Sequence, residues 1–256
     1  MFNGYFVGYV SPDASNYLQL AKNLLDGYGY FVAPYGVTGN EREFFAIWPA
    51  GYPTLIYLVS IMTGLSVFCA SKVLNIILIA FILLLFRVLF HKDAYLYGVV
   101  LLFASYLDVF SSTWSETLFI TALLWFAVSI YCLHKNESDN NKVWLLFIFV
   151  SYLLCFLSRY IGAFTFGITG LYGFYYFFIR KNRGISAILI GISILNLLIM
   201  YSYLSFNYAQ TGFSTGMQRV PAPETSIELT IMLIKPWSMR LCHLIIGLIQ
   251  PRPYRS

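Results

Sequence analysis

Charge is what this sequence has least of. Only 11% of its 256 residues are Asp, Glu, Lys or Arg, whereas soluble domains carry roughly 25%. So few charges do not suit a chain whose whole surface faces water. Cysteine is equally sparse: Cys69, Cys132, Cys155 and Cys242 lie in or beside apolar runs. They form no CxxC pair and no ligand spacing, which argues against a disulfide framework and a cysteine metal site. His91, His134 and His243 are scattered, so no histidine triad for a metal or a proton relay is visible. There is no Walker loop, no GxGxxG after a strand and no GxSxG. The net charge of +5 comes from small basic clusters between apolar runs, not from a basic face, and nucleic acid is not an expected partner. The opening MFNGYFVGYVSPD has no basic n-region and too short an apolar run for a secretory signal.

What the chain does have is apolar length. Hydrophobic residues make up 59% of it and aromatics 19%, and its mean hydropathy is +0.71. A helix needs about 20 mainly apolar residues to cross a bilayer. Six segments qualify, at 69–90, 94–111, 116–134, 143–159, 162–180 and 185–207. The expected fold is therefore all-α, a polytopic transmembrane helix bundle of about six spans with amphipathic interfacial helices in its first loop. PTLIYLVSIMT, residues 53–63, is too short to span and is stopped by Gly64, which fits an interfacial or re-entrant helix. The stretch 227–249 is broken by KPW and holds Arg240 and His243; it is left unassigned. Span interiors are nearly free of charge, with Asn75 and Asn196 the main polar exceptions.

Basic residues in short loops stay on the cytoplasmic side. Arg87 and Lys92, Lys135 and Lys142, and Arg180, Lys181 and Arg183 mark three connections as inner. They alternate with LDVFSSTWSE, which has no basic residue, and SRYIG, which has one. Parity then places residues 1–68, the 108–116 turn, Arg159 and the loop 208–225 outside. Three regions follow: an extracytoplasmic loop over 1–68, a membrane bundle over 69–207, and a further outer loop with an uncertain tail over 208–256. A hydrophilic N-terminal segment does not normally cross a membrane unaided, so a preceding transmembrane helix is expected upstream. The abrupt ending PRPYRS suggests an incomplete C-terminal side as well.

The first loop carries the most chemistry. Tyr17, Leu20, Ala21, Leu24 and Leu25 recur at helical spacing among polar residues, predicting an amphipathic surface helix. Ser11 or Asp13 is a natural N-cap, Pro12 suits the first turn and Gly27 is a natural stop. Capping is the plain account of Asp13; catalysis is the alternative. Further on, WPAGYP sets a rigid turn, with Trp48 and Tyr52 as interfacial aromatics. Around the same expected rim lie the acids Asp13 and Glu116 and the cations Arg42, Lys72, Arg159 and Arg219. Glu116 at a helix start has dipole stabilisation as its plain account. Snorkelling to the interface would explain Arg159, and headgroup contact Lys72 and Arg219.

The order DASNY, NLLDGYGY, polar loop, WPAGYP, short helix and then a run of spans resembles the first outer loop of the GT-C superfamily of membrane glycosyltransferases. These include the protein O-mannosyltransferases and the lipid A aminoarabinose transferase. WSETLFI, SRYIGAF and YAQTGFSTGMQRVPAP are similar to further pieces of bacterial members, and the likeness covers about residues 11–240. It implies an integral protein of a bacterial inner membrane that transfers a sugar, with inversion, from a polyprenyl-phosphate donor to a glycan, lipid or protein acceptor on the outer side. Asp13 matches the acid that serves such enzymes as catalytic base or metal ligand. Ala14 stands where many members carry a second acid, so a divalent cation is optional and no metal ligand is assigned. With the resemblance, Asp13 and Glu116 are the catalytic candidates, Arg159, Arg219 and Lys72 the donor-phosphate candidates, and Tyr17, Trp48 and Tyr52 the lipid- or substrate-positioning ones. The alternatives are a transporter or lipid-handling protein, whose polar groups belong nearer the midplane, and an inactive truncated remnant.

Overall fold

In the computed structural model, residues 11–33, 42–135 and 141–216 are described. They belong to the first of the two units into which the chain divides, residues 1–217; residues 218–256 lie outside the described residues. Arg219 and the unassigned stretch 227–249 therefore do too.

Helix α1, Pro12–Leu25, begins where the Ser11 hydroxyl accepts from the Ala14 N–H, with Pro12 at the first helical position. Its buried stripe is Ala14, Tyr17, Leu18, Leu20 and Ala21, the face that the helical periodicity predicts. Gly27, at φ +78, turns the chain away. Two short strands, β1 Phe31–Val32 and β2 Glu43–Phe44, pair antiparallel with Phe31 opposite Phe44. Helix α2, Gly51–Thr63, closes on Gly64 in the left-handed conformation. Its 13 residues rise about 20 Å, too little for a hydrocarbon core of about 30 Å.

Then come the long apolar helices. α3 runs Val67–Phe90, α6 Ser115–Lys135, α7 Asn141–Ser158, α8 Phe164–Phe178 after a 3-10 turn at Tyr160–Ala163, and α9 Arg183–Thr211. Among the described residues, five helical stretches are long and apolar enough to cross a membrane. The molecule is an all-α polytopic bundle.

The expected second span, 94–111, is not one continuous helix. It is α4, Ala94–Gly98, a 3-10 turn Val99–Leu102, and α5, Ala104–Ser111, broken where Phe103 adopts an extended ψ of 139°. Gly98 and the β-branched Val99 and Val100 are weak helix formers, and apolar length alone does not reveal such a break. The segment still returns to the starting rim, because Asn75 and Lys72 near the start of α3 bond Phe110, Ser111 and Ser112. The alternation of rims expected from the sequence is thus kept, with five long helices and one interrupted return.

Asn75 fastens that return. Its Nδ2 donates to the carbonyls of Phe110 and Ser112, both at 2.8 Å. Its Oδ1 accepts from the Tyr52 hydroxyl at 3.0 Å and from Thr117 Oγ1 at 3.2 Å. Two donors and two acceptor sites are a primary amide's full capacity. The arrangement supplies partners for carbonyls at the end of α5 that lack an intrahelical one, and it joins α2, α3, α5 and α6. Alongside it, Tyr17, Tyr52, Ile56, Leu74, Leu78, Phe110 and Leu118 form one apolar core. A second core of Phe126, Leu133, Leu145, Ile148, Tyr176 and Leu189 joins α6 to α9.

Replacing Asn75 by Leu would leave the Tyr52 hydroxyl and two carbonyls without their partner. Each such buried group costs about 1–3 kcal/mol, so a loss of about 3 kcal/mol is expected, read as a fall of more than about 5 °C in the Tm of the detergent-solubilised protein.

Candidate active site at one rim of the bundle

Three chain segments that are distant in sequence meet beside the N-terminus of α1. Ser11 provides the cap, so Asp13, in the first turn, is not the capping residue. The Asp13 carboxylate instead accepts a hydrogen bond from the Trp48 side chain and lies within electrostatic reach of Glu116 and Arg159. Glu116 stands in the first turn of α6. Arg159 follows the end of α7 in an extended conformation, and its Nη1 donates to Glu116 Oε1 in an ion pair. The Arg159 guanidinium also sits 5.6 Å from the centre of the Trp48 ring. Both members of the ion pair are partly open to solvent, with side chains 29% and 35% exposed for Arg159 and Glu116.

Each group is held from below. Trp114 Nε1 donates to Ser11 Oγ at 2.7 Å, and the Tyr17 hydroxyl and Ser115 Oγ are 3.0 Å apart. These two bonds tie α1 to the start of α6. The turn carrying Trp48 is held by α9 and by the segment after α7: Tyr160 donates to the Ala46 carbonyl at 2.6 Å, and the Ala50 N–H donates to the Tyr203 hydroxyl at 3.2 Å. Asn207 Nδ2 donates to the Tyr160 hydroxyl at 3.1 Å and to the Ser214 carbonyl at 3.2 Å. Gly162 lets the chain fold back after Arg159, since a Cβ there would lie 2.2 Å from the Cys155 carbonyl oxygen.

The electrostatics single out Asp13. Partial burial, then the negative charge of Glu116, hold its carboxyl above the ordinary aspartate value, while Arg159 and the Trp48 hydrogen bond pull the other way. Burial also raises the Tyr17 and Tyr52 hydroxyls, so neither is a phenolate near neutrality.

The expected site residues therefore separate. Asp13, Glu116, Arg159 and Trp48 come together. Tyr17 and Tyr52, at 2% and 0% exposure, face inward and seat α1 and α2. Lys72 donates to the Ser111 carbonyl at 2.6 Å and to Thr113 Oγ1 at 3.1 Å, bracing the turn between α5 and α6. Arg42 lies 3.8 Å over the Tyr28 ring. Trp114, Tyr160 and Asn207 carry weight that the sequence reading did not assign them, and Ser11, expected as a possible cap, also accepts from Trp114. The only advance signal was adjacency, Trp114 two places before Glu116 and Tyr160 next to Arg159.

A divalent cation fits this group poorly. Among the described residues no three His, Cys, Asp or Glu side chains gather as a metal site, and a guanidinium already occupies one of the two carboxylates. Comparison with protein-family models, with curated proteins and with solved structures finds no match.

Because its raised carboxyl binds a proton more tightly in the folded chain, Asp13 lowers stability as pH rises from the ordinary aspartate value through its own. Asp13→Asn should therefore raise Tm at pH 7, by about 1 °C because solvent screens a partly exposed group. The gain should shrink toward zero as pH falls to the ordinary aspartate value; thermal scans at pH 3.5 and 7 check it.

Proposed function

We propose that this protein is a glycosyltransferase of the GT-C type, moving a sugar from a polyprenyl phosphate to an acceptor hydroxyl at the extracytoplasmic surface of a bacterial inner membrane. The observation that carries the reading is the convergence of Asp13, Glu116 and Arg159, from the first loop, α6 and the end of α7, at one rim of an otherwise apolar bundle. A lipid-linked donor keeps its tail in the bilayer while its phosphate and sugar stand at the interface, and such a rim presents a base and a cation at that height.

In this reaction Asp13 takes the proton of the acceptor hydroxyl. The acceptor oxygen forms a bond to the anomeric carbon from the face opposite the phosphate, the carbon–oxygen bond to the phosphate breaks, and its electron pair leaves with the lipid phosphate. The configuration at the anomeric carbon inverts. A base whose carboxyl is held above the ordinary value is better matched to neutral pH. The Arg159 guanidinium has five N–H donors and uses Nη1 for Glu116, leaving donors for a phosphate oxygen. Glu116 orients Arg159 and keeps Asp13 basic. Trp48 presents its indole beside both groups, suited to stacking on a sugar or an isoprenoid. No step here needs a metal.

Asp13→Asn should lower sugar transfer from radiolabelled polyprenyl-phosphate-sugar, in membranes containing the full protein, by about 10²- to 10⁴-fold. Arg159→Lys should also lower it, since an ammonium lacks the planar fork. Undiminished transfer by the Asp13 variant removes that residue from the chemistry. Sidedness has its own test: a periplasm-dependent reporter fused at Gly212 should be active, and one at Asn140, which lies outside the described residues, should be silent.

A further inference from the structure

We propose that Ser11 and Trp114 form a clamp whose role is to hold the Asp13 carboxylate against the Glu116–Arg159 ion pair, which makes them positioning residues. The proposal deepens the transferase reading and rests on it for its catalytic consequence, while the clamp itself can be tested without any sugar donor.

One hydroxyl oxygen does two jobs. Ser11 Oγ accepts from the Ala14 N–H at 3.2 Å, which starts α1, and from Trp114 Nε1 at 2.7 Å. Those are the two acceptor sites a serine oxygen has. Its partners place Ser11 two residues before Asp13 and Trp114 two residues before Glu116, so the bond crosses between the helix starts that carry the two acids. The Tyr17–Ser115 bond at 3.0 Å joins the same two segments again, between Tyr17 further along α1 and the residue after Trp114. With two bonds between α1 and the start of α6, rotation of one helix end relative to the other would break at least one of them.

Capping alone does not call for this arrangement. Any good capping residue would start α1, and a tryptophan at a rim ordinarily turns its N–H to the interface. Here the indole N–H is spent on the cap. Two carboxylates brought together repel, and left to themselves the start of α1 would move away from α6 to relieve the repulsion. The clamp opposes that movement and keeps the general base beside the cation that is to meet the leaving phosphate.

The test uses Ser11→Gly, which keeps an acceptable N-cap but removes the oxygen, Trp114→Phe, which keeps aromatic bulk but removes the donor, and Ser11→Thr, which keeps the hydroxyl. Each is combined with Asp13→Asn in the full chain, and Tm is measured from pH 3.5 to 8. In the parent, the gain in Tm from Asp13→Asn should grow with pH, because burial and Glu116 disfavour the carboxylate form. With the Ser11→Gly or Trp114→Phe change, that pH-dependent gain should shrink at least twofold, and the pH at which it appears should fall toward the ordinary aspartate value. Ser11→Thr should restore the parent behaviour. A variant that merely loosened the fold would lower Tm at every pH and leave the pH-dependent difference intact, and that outcome overturns the clamp. Where the parent transfers sugar, the acid limb of its pH–rate profile should move by the same amount. A parent without transfer activity would sink the transferase reading alone, and the titration result would still decide the clamp.

Discussion

The amide of Asn75 is the constraint on which this architecture depends. A polar side chain inside an apolar bundle is costly unless each of its hydrogen-bonding positions is filled, and here all four are, by Tyr52, Thr117 and the carbonyls of Phe110 and Ser112. Those partners come from the short helix of the first loop, from the interrupted return and from the start of α6. The same residue that closes the bundle therefore fixes the height at which Glu116 emerges and the surface on which α2 lies. Lys72 and Ser71 extend the fastening to Ser111 and Thr113, so the turn before α6 is held at several points.

On that base the rim gathers charge that the interior excludes. Asp13 and Glu116 repel, and Arg159, paired with Glu116, offsets part of the repulsion without removing it. Local stability is given up at such a place, and strain of this kind is characteristic of sites that handle protons. The supports around it are ordinary structural bonds between buried or half-buried groups: Tyr17 to Ser115, Tyr160 to Ala46, Tyr203 to Ala50. Each pins one segment to another and leaves the charged tips partly open. A transferase reading draws on this division between a fixed frame and a charged rim, and a transporter reading would need polar groups deeper in the bundle. Asn196 on α9, with neither amide atom partnered among the described residues, and Tyr152 on α7, whose buried hydroxyl is likewise unpartnered, are groups of that kind.

How far the sequence could be read depended on the kind of signal. Long apolar runs translate into helices because a bilayer-sized helix satisfies its own backbone. The expected 116–134 and 143–159 accordingly fall within two residues of Ser115–Lys135 and Asn141–Ser158. Gly64 and Gly27 stop helices where left-handed backbone is needed. The break at Phe103 was illegible, since apolar length reports the environment of a segment and not its continuity. Asp13 was legible as a candidate by its place near a helix start, but Ser11 and Asp13 are both good caps and only the hydrogen bond to Ala14 distinguishes them.

By itself the sequence determined that the chain is a bundle of apolar helices, that its charges sit between them, and that the first loop carries an amphipathic helix. These follow from composition and periodicity, which are local properties. Which charges meet was decided only by tertiary structure. Asp13, Glu116 and Arg159 are neighbours because α1 is tied to α6 and because α7 ends at the same rim. The inward direction of Tyr17 and Tyr52 and the commitment of Lys72 to a turn were settled in the same way. A side chain's partner is set by packing between segments a hundred residues apart, and one-dimensional spacing holds no record of that distance.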